Sequence, residues 1–346
     1  MLIDPVYGQF ILPLIIAIFL AINMGGSGTA PSFSAAYGAN LIPRNLIPGL
    51  FGIMVFIGAM LAGKNVAMTL GKGVLPSENL TIMLTSIILL SISLSLFFAN
   101  LLGVPQSTSQ STVFALSGPA AYFGVLKTDK LFFEIIPTWF VLPIIAFFIT
   151  YAVGKFIYSP VKNRSTFEFE TLREHPILQA LVIVSSLYVA FSIGANNVAN
   201  ASGPIASMVI NELGLGETDQ NFRLIMTLSV LIIAPAFGIG SSLMGNKVVR
   251  VTGKEIVEFG PLSATVISMI TASLLLSVSL IKGIPASLVQ LNTGAILAIG
   301  CAKHGWKEIF GKSSVHKFWV VWIISPIVAF MLSITMTWIA DKMGIL

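Results

Sequence analysis

Eight apolar runs, at residues 9–24, 46–62, 80–102, 131–157, 177–193, 222–244, 261–281 and 318–340, decide what this chain can become. Each is long enough, or nearly so, for the roughly 20 residues that an α-helix needs to cross a hydrocarbon core. In lipid every backbone N–H and C=O must be paired within the protein, so spans of this kind are helices. Composition agrees: 55% of the residues are apolar and 10% charged, against about 25% charged in soluble domains. The chain is expected to be an all-α polytopic protein of the cell membrane, embedded in the lipid bilayer. The first run reads as a membrane helix rather than a cleavable signal, because only Asp4 precedes it and no basic segment does.

Several functions are disfavoured by what the spans lack. Cys301 is the lone cysteine, which excludes an intramolecular disulfide and a multi-cysteine metal site. His175, His304 and His316 fall in polar connections without metal-ligand spacing. The net charge of +5 is modest and sits mostly in loops, so no nucleic-acid partner is expected. The glycines at 25, 26 and 28 lack the Gly-Lys-Ser/Thr ending of a phosphate loop. No carboxylate pair, Ser–His pair or metal cluster falls inside the spans, so neither an enzyme nor a cofactor or metal protein is expected. Lys64, Lys247 and Lys282 lie near the ends of apolar runs, where snorkelling to the interface accounts for them.

One stretch stands out: Ser192-Ile193-Gly194-Ala195-Asn196-Asn197-Val198-Ala199-Asn200-Ala201-Ser202, at the end of the fifth run. An uncharged but strongly polar patch at membrane depth must be buried in protein or line a water-filled cavity. Segments 25–39, 105–126, 200–213 and 285–302 are similarly rich in Gly, Ser, Thr, Asn and Gln, yet still apolar enough to enter the membrane. Short interrupted segments of this kind point to broken or re-entrant helices in transporters.

The charged connection at 159–175 divides the chain nearly in half, and the halves match in order. Gly25-Gly26-Ser27-Gly28 pairs with Gly194-Ala195-Asn196-Asn197, and Gly63-Lys64-Asn65-Val66 with Gly245-Asn246-Lys247-Val248. Gly71-Lys72 pairs with Gly253-Lys254, Gly103-Val104-Pro105-Gln106-Ser107 with Gly283-Ile284-Pro285-Ala286-Ser287, and Trp139 and Pro143 with Trp322 and Pro326. The expected organisation is a first transmembrane repeat at 1–157, a charged linker at 158–176 and a second repeat at 177–346. Four full spans and one broken crossing per half make an odd number, hence inverted topology. The basic groups Lys64 and Lys72, Lys247, Arg250 and Lys254, and Lys303, Lys307, Lys312 and Lys317 leave the membrane orientation open.

Each half also carries Pro, then Ser, then Gln three residues on: Ser107 with Gln110, and Ser287 with Gln290. Ser at N-cap with Gln at N3 is a capping-box pattern. Two helix starts at membrane depth would each offer free N–H groups and the positive end of a helix dipole, an anion site without a formal charge. Neutral donors suit a tetrahedral oxyanion that must be released again. The expected substrate-binding residues are Asn23, Ser27, Gly28, Thr29, Ser107, Thr108, Ser109 and Gln110 in the first half, and Asn196, Asn197, Asn200, Ser287 and Gln290 in the second. Ser32 and Ser202 belong to the same polar pool, about half of which is expected to touch ligand while the rest bridges helices.

At these residues the chain resembles the inorganic phosphate transporter (PiT) family of secondary transporters. Gly194-Ala195-Asn196-Asn197-Val198-Ala199-Asn200 matches six of seven positions of that family's G-A-N-D-V-A-N motif. The two Pro-x-Ser motifs, the Gly-Lys stretches and the charged linker match as well. The resemblance implies an inverted repeat, a midplane oxyanion site, cation-coupled uptake and a homodimer. The departures are specific. The family's motif aspartate is Asn197 in one half and Gly28 in the other, a glutamate of the following helix is Val55, and the later histidines are Gln110 and Gln290. The first motif, Gly25 to Ser32, resembles the sulfate-permease branch. Sulfate has no proton to share with a carboxylate, so an aspartate beside it is an unpaired like charge, whereas asparagine or glycine is tolerated. The expectation is sulfate import by alternating access with a coupling proton; the alternatives are a phosphate transporter and, third, a passive anion channel.

Overall fold

The computed structural model describes residues 8–101, 106–163, 175–252, 260–311 and 313–346. Asp4, the repeat residues Gly103, Val104, Pro105, Gly253 and Lys254, the charged positions 164–174 of the linker and Lys312 lie outside the described residues, as do the side chains of Lys247, Arg250, His316 and Lys317. The described residues form helices and connections. In order these are α1 (Ile11–Gly38), α2 (Ile47–Ala62), α3 (Lys64–Met68, continued by a π-helical turn at Thr69–Gly73), α4 (Ile82–Leu101) and α5 (Thr108–Tyr122). A π-helical turn at Lys130–Ile135 leads into α6 (Ile136–Asn163). The second half holds α7 (Pro176–Asn197), α8 (Ala199–Glu212), α9 (Asp219–Ile233), α10 (Pro235–Thr252), α11 (Pro261–Ile281), α12 (Leu288–His304), α13 (Trp306–Phe310) and α14 (Ser313–Lys342).

Seven of the described helical stretches are long and apolar enough to span, and α2 with α3 makes an eighth if the 71° bend between them lies within one crossing. The protein is a multi-pass membrane protein. The polar segments divide into two kinds. Residues 25–38 are a direct continuation of α1, and α8 continues α7 through Val198, which keeps helical dihedrals. In α8 the buried Ser202 and Ser207 hydroxyls make no bond within the helix, but in the continuation of α1 the hydroxyls do: Thr29 Oγ1 donates to Gly25 O (2.7 Å) and Ser32 Oγ to Gly28 O (3.0 Å). The same device satisfies Ser91 and Ser93 in α4 and Thr271 and Ser279 in α11. In contrast, α5 and α12 are separate short helices of 15 and 17 residues. The sequence match of Gly63 with Gly245 is not a match of shape: the chain bends at Gly63, whereas α10 runs on through Gly245.

Polar contacts fix one end of the bundle. There Ile82 N donates to Glu212 (2.9 Å), Lys127 Nζ to Lys72 O (2.7 Å) and Tyr122 Oη to Asp341 (2.7 Å), and Lys64 pairs with Asp219. The start of α4 and the ends of α5, α8 and α14 therefore share that end. With 30 residues, α14 is about 45 Å long, so its start lies at the opposite end, next to α13 and the end of α12. Hence α5 and α12 run in opposite senses, each starting in the interior. α5 packs along α14, and α12 along α6, so each short helix is held by the last helix of the other half.

The two long contacts α1–α10 and α2–α7 are close crossings. A Cβ on Gly25 would strike the Phe237 carbonyl oxygen, and one on Gly194 the Val55 carbonyl oxygen. On the partner side of each crossing, Gly240 meets the Ile22 carbonyl and Gly58 the Phe191 carbonyl. Small residues let backbones approach where lipid offers no hydrophobic gain from burial.

Candidate anion site

Between the starts of α5 and α12 lies a small cavity, about 20 Å³ in volume. It is lined by Ser27, Gly28 and Pro31 of α1, by Ile193 and Asn197 of α7, by Gln106, Ser107 and Thr108, and by Ser287, Leu288 and Val289. None of these described residues is titratable.

Both serines are N-caps. Ser107 Oγ accepts from Gln110 N and Ser287 Oγ from Gln290 N, each at 3.3 Å. An N-cap oxygen that accepts from its own helix keeps its O–H hydrogen for another acceptor. The first-turn N–H groups of α5 and α12 have no partner within their helices. Each terminus carries the equivalent of about half a positive charge. Two termini converge here, so the wall is positive without a cation. Thr108 Oγ1 adds a hydroxyl at the same place.

The glutamines differ from the capping-box expectation. Gln110 Nε2 donates to Gln290 Oε1 (3.3 Å), and Gln290 Nε2 donates to Gln110 Oε1 (3.2 Å). They do not reach back to their own caps; they lock the two helix starts to each other. The exchange is reciprocal between matched positions of the halves, as at a local two-fold axis. Both are buried, so a single Gln110→Leu or Gln290→Leu leaves one amide unpaired, at a cost of about 1–3 kcal/mol. The double leucine variant is expected to cost less than the two singles summed, as a thermal-unfolding double-mutant cycle would show.

Asn196 is fully buried behind the wall. Its amide satisfies most neighbours when Nδ2 faces Ala286 O (3.0 Å), Ser109 Oγ (3.0 Å) and Asn197 Oδ1 (3.3 Å), and Oδ1 faces Ala286 N (3.3 Å) and Ser279 Oγ (2.8 Å). It thereby clips α7 to both helix starts. Trp139 supports the same point from α6, donating from Nε1 to Pro285 O (2.8 Å). Asn197, whose Oδ1 is held by Asn196, lines the cavity itself.

The expected site residues thus fall into three groups. Ser27, Gly28, Ser107, Thr108, Asn197 and Ser287 come together on the cavity wall. Ser109, Gln110, Asn196 and Gln290 stand one layer behind and hold the wall in place. Asn23, Thr29 and Asn200 are not on it. Asn23 Nδ2 bonds Phe19 O (2.9 Å), Asn100 donates to Asn23 O (3.1 Å), Thr29 bonds Gly25 O, and Asn200 Nδ2 contacts Met24 Sδ (3.7 Å). Of the eight-residue pool of Asn, Ser and Thr on α1, α7 and α8, only Ser27 and Asn197 line the cavity, and Ser32 and Ser202 are buried away from it. Sequence reasoning passed over Gln106, which lines the cavity directly; its signal was a polar residue where the second half has Ala286.

A polytopic helical bundle around a neutral, donor-lined interior cavity is the architecture of a membrane transporter. The sequence profile of the phosphate transporter family matches residues 24–333, and the chain belongs to that family. It is similar to a sulfate permease of Bacillus subtilis, with 33% identity covering 92% of this chain and 85% of the relative. It is also similar to a putative phosphate permease of Pyrococcus furiosus, at 25% identity over 94% of each chain. A probable low-affinity inorganic phosphate transporter of Bacillus subtilis shows 26% identity over 82% of this chain and 83% of its own. The solved structure of "The sodium-dependent phosphate transporter" shares the fold, with a TM-score of 0.82 at 20% identity, covering 97% of this chain and 99% of that one. The protein is therefore a transporter, not an enzyme.

Proposed function

We propose that this transporter imports sulfate, holding the dianion between the Ser107 and Ser287 helix starts with Asn197 opposite. The observation that carries this reading is that the cavity's polar groups are neutral throughout, with Asn197 and Gly28 where the family motif places aspartate. An anion that carries no proton asks only for donors, and a carboxylate there would repel it. The similarity to a sulfate permease supports the same substrate.

The reading includes two inverted repeats at 1–157 and 177–346 joined by the linker at 158–176. It is supported by the opposed senses of α5 and α12 and by the reciprocal Gln110–Gln290 pair. Alternating access would then rock one repeat against the other around a fixed site. Moving sulfate into a cell works against the membrane potential by about 2.3 kcal/mol per charge per 100 mV. A coupling cation is required, and the lack of acidic groups on the wall favours a proton over sodium. A homodimer is part of the same reading and rests on the family resemblance.

The test is uptake of radiolabelled sulfate into proteoliposomes, with phosphate as competitor, under an imposed pH gradient and then a sodium gradient. Accumulation driven by the pH gradient and resistant to phosphate is expected. The phosphate reading, favoured by the phosphate-named relatives, predicts phosphate accumulation instead. Equilibration without accumulation would indicate a channel.

A further inference from the structure

Gln106 stands just ahead of the Ser107 cap and is 4% exposed. Both of its side-chain hydrogen bonds run through Nε2, to Ser95 Oγ (3.0 Å) and Ser111 Oγ (2.7 Å). Neither bond uses its Oε1, and Gln106 lines the cavity. Serine hydroxyls donate as readily as they accept. If the amide turns over, Ser95 and Ser111 can each donate to Oε1. Ser95 gives up only a long bond to Ser325 O (3.5 Å), and Ser111 can still accept from Ser325 Oγ (3.4 Å). The two orientations are therefore nearly equal in internal bonding, and they present opposite faces to a bound ion.

We propose that Gln106 is the selectivity residue of the site: its amide turns Nε2 into the cavity for an oxyanion without a proton, and shows Oε1 to one that bears a proton. This rests on the anion site proposed above and deepens it. The second half has Ala286 at the matched position, so the cavity has one such reader rather than a symmetric pair. Asn197 does not duplicate the role, because its Oδ1 is already held by Asn196. Gln106 lines the cavity from the position just before the Ser107 cap, so both residues face the same ligand space.

The inference is tested by equilibrium binding of radiolabelled sulfate and of inorganic phosphate to the purified full chain and to Gln106→Leu and Gln106→Glu, with thermal unfolding to verify folding. Gln106→Leu is expected to weaken sulfate about 10- to 100-fold, the scale of one hydrogen bond to a charged group. Gln106→Glu offers an acceptor in place of the donor at neutral pH, so the phosphate-to-sulfate preference is expected to rise by about tenfold or more. An unchanged sulfate affinity in the leucine variant, or an equal loss for both anions in both variants, would mean that the amide only braces α4, α5 and α14, and would overturn the inference alone. Failure of the unmodified chain to bind either anion would overturn the site itself.

Discussion

Asn197→Asp is expected to cut sulfate uptake at neutral pH by at least about 100-fold while leaving the protein folded. Asn197 ends α7, is 8% exposed and lines the cavity, with its Oδ1 held by Asn196. The replacement is nearly isosteric, so packing against Asn196 and Ile193 is kept. What changes is charge. Two unit charges 4 Å apart interact by about 4 kcal/mol at an effective dielectric of 20. Sulfate carries two charges, and the described wall offers no cation to offset the repulsion. A factor of 100 corresponds to only about 2.7 kcal/mol, well within that repulsion. Hydrogenphosphate can donate its proton to the new carboxylate, so its uptake should suffer less. Asn197→Ala, which removes a donor without adding charge, should cost about tenfold. The loss in the aspartate variant should recede as pH falls. A protonated carboxyl donates instead of repelling, so sulfate uptake returns below the carboxyl's pKa and disappears above it. Initial rates for both anions across pH, normalised to protein in the membrane, give the comparison.

Gly194→Val is expected to prevent assembly of the bundle. The added carbon atoms point at the Val55 carbonyl oxygen, carbon and Cα, which are backbone atoms of α2 and cannot swing aside as a side-chain tip would. The crossing must open along its length, which separates Gly58 from Phe191 and pulls α7 away from the two helix starts that Asn196 clips. A destabilisation of about 4 kcal/mol or more is in the range reserved for such overpacking. The variant should give no monodisperse protein on size-exclusion chromatography, or a sharply lowered Tm. Gly25→Val should behave alike at the Phe237 carbonyl. Gly38→Ala, whose added carbon meets nothing within 4 Å, should fold normally.

The sequence revealed more of this arrangement than its low polarity suggests, and the parts it hid share a physical cause. The spans were legible because lipid forces long apolar helices. The caps at Ser107 and Ser287 were legible because capping is a local pattern, three residues long. The fate of Gln110 and Gln290 was not, since their bond joins positions 180 apart in the chain. Residues 25–39 and 200–213 read as interruptions because hydroxyls and asparagines lower hydropathy. In the fold most remain helical, and along α1 the side-chain oxygens of Thr29 and Ser32 are satisfied one turn back. Asn196 and Asn197 are neighbours of identical type, yet one braces and the other faces the cavity; only the turn of α7 about its axis separates them. Gln106 is hidden from any comparison of what the halves share, because it matters by being different from Ala286.

The most direct test of the account is an anomalous-diffraction experiment on crystals of the full chain grown with selenate, a tetrahedral dianion with a strong scatterer at its centre. The predicted result is a single selenium peak in the cavity, within hydrogen-bonding reach of Ser107, Ser287 and Asn197. A cavity without selenium under conditions where selenate competes for sulfate uptake, or a peak on the exposed lysines instead, would contradict the claim that two neutral helix starts hold the transported anion.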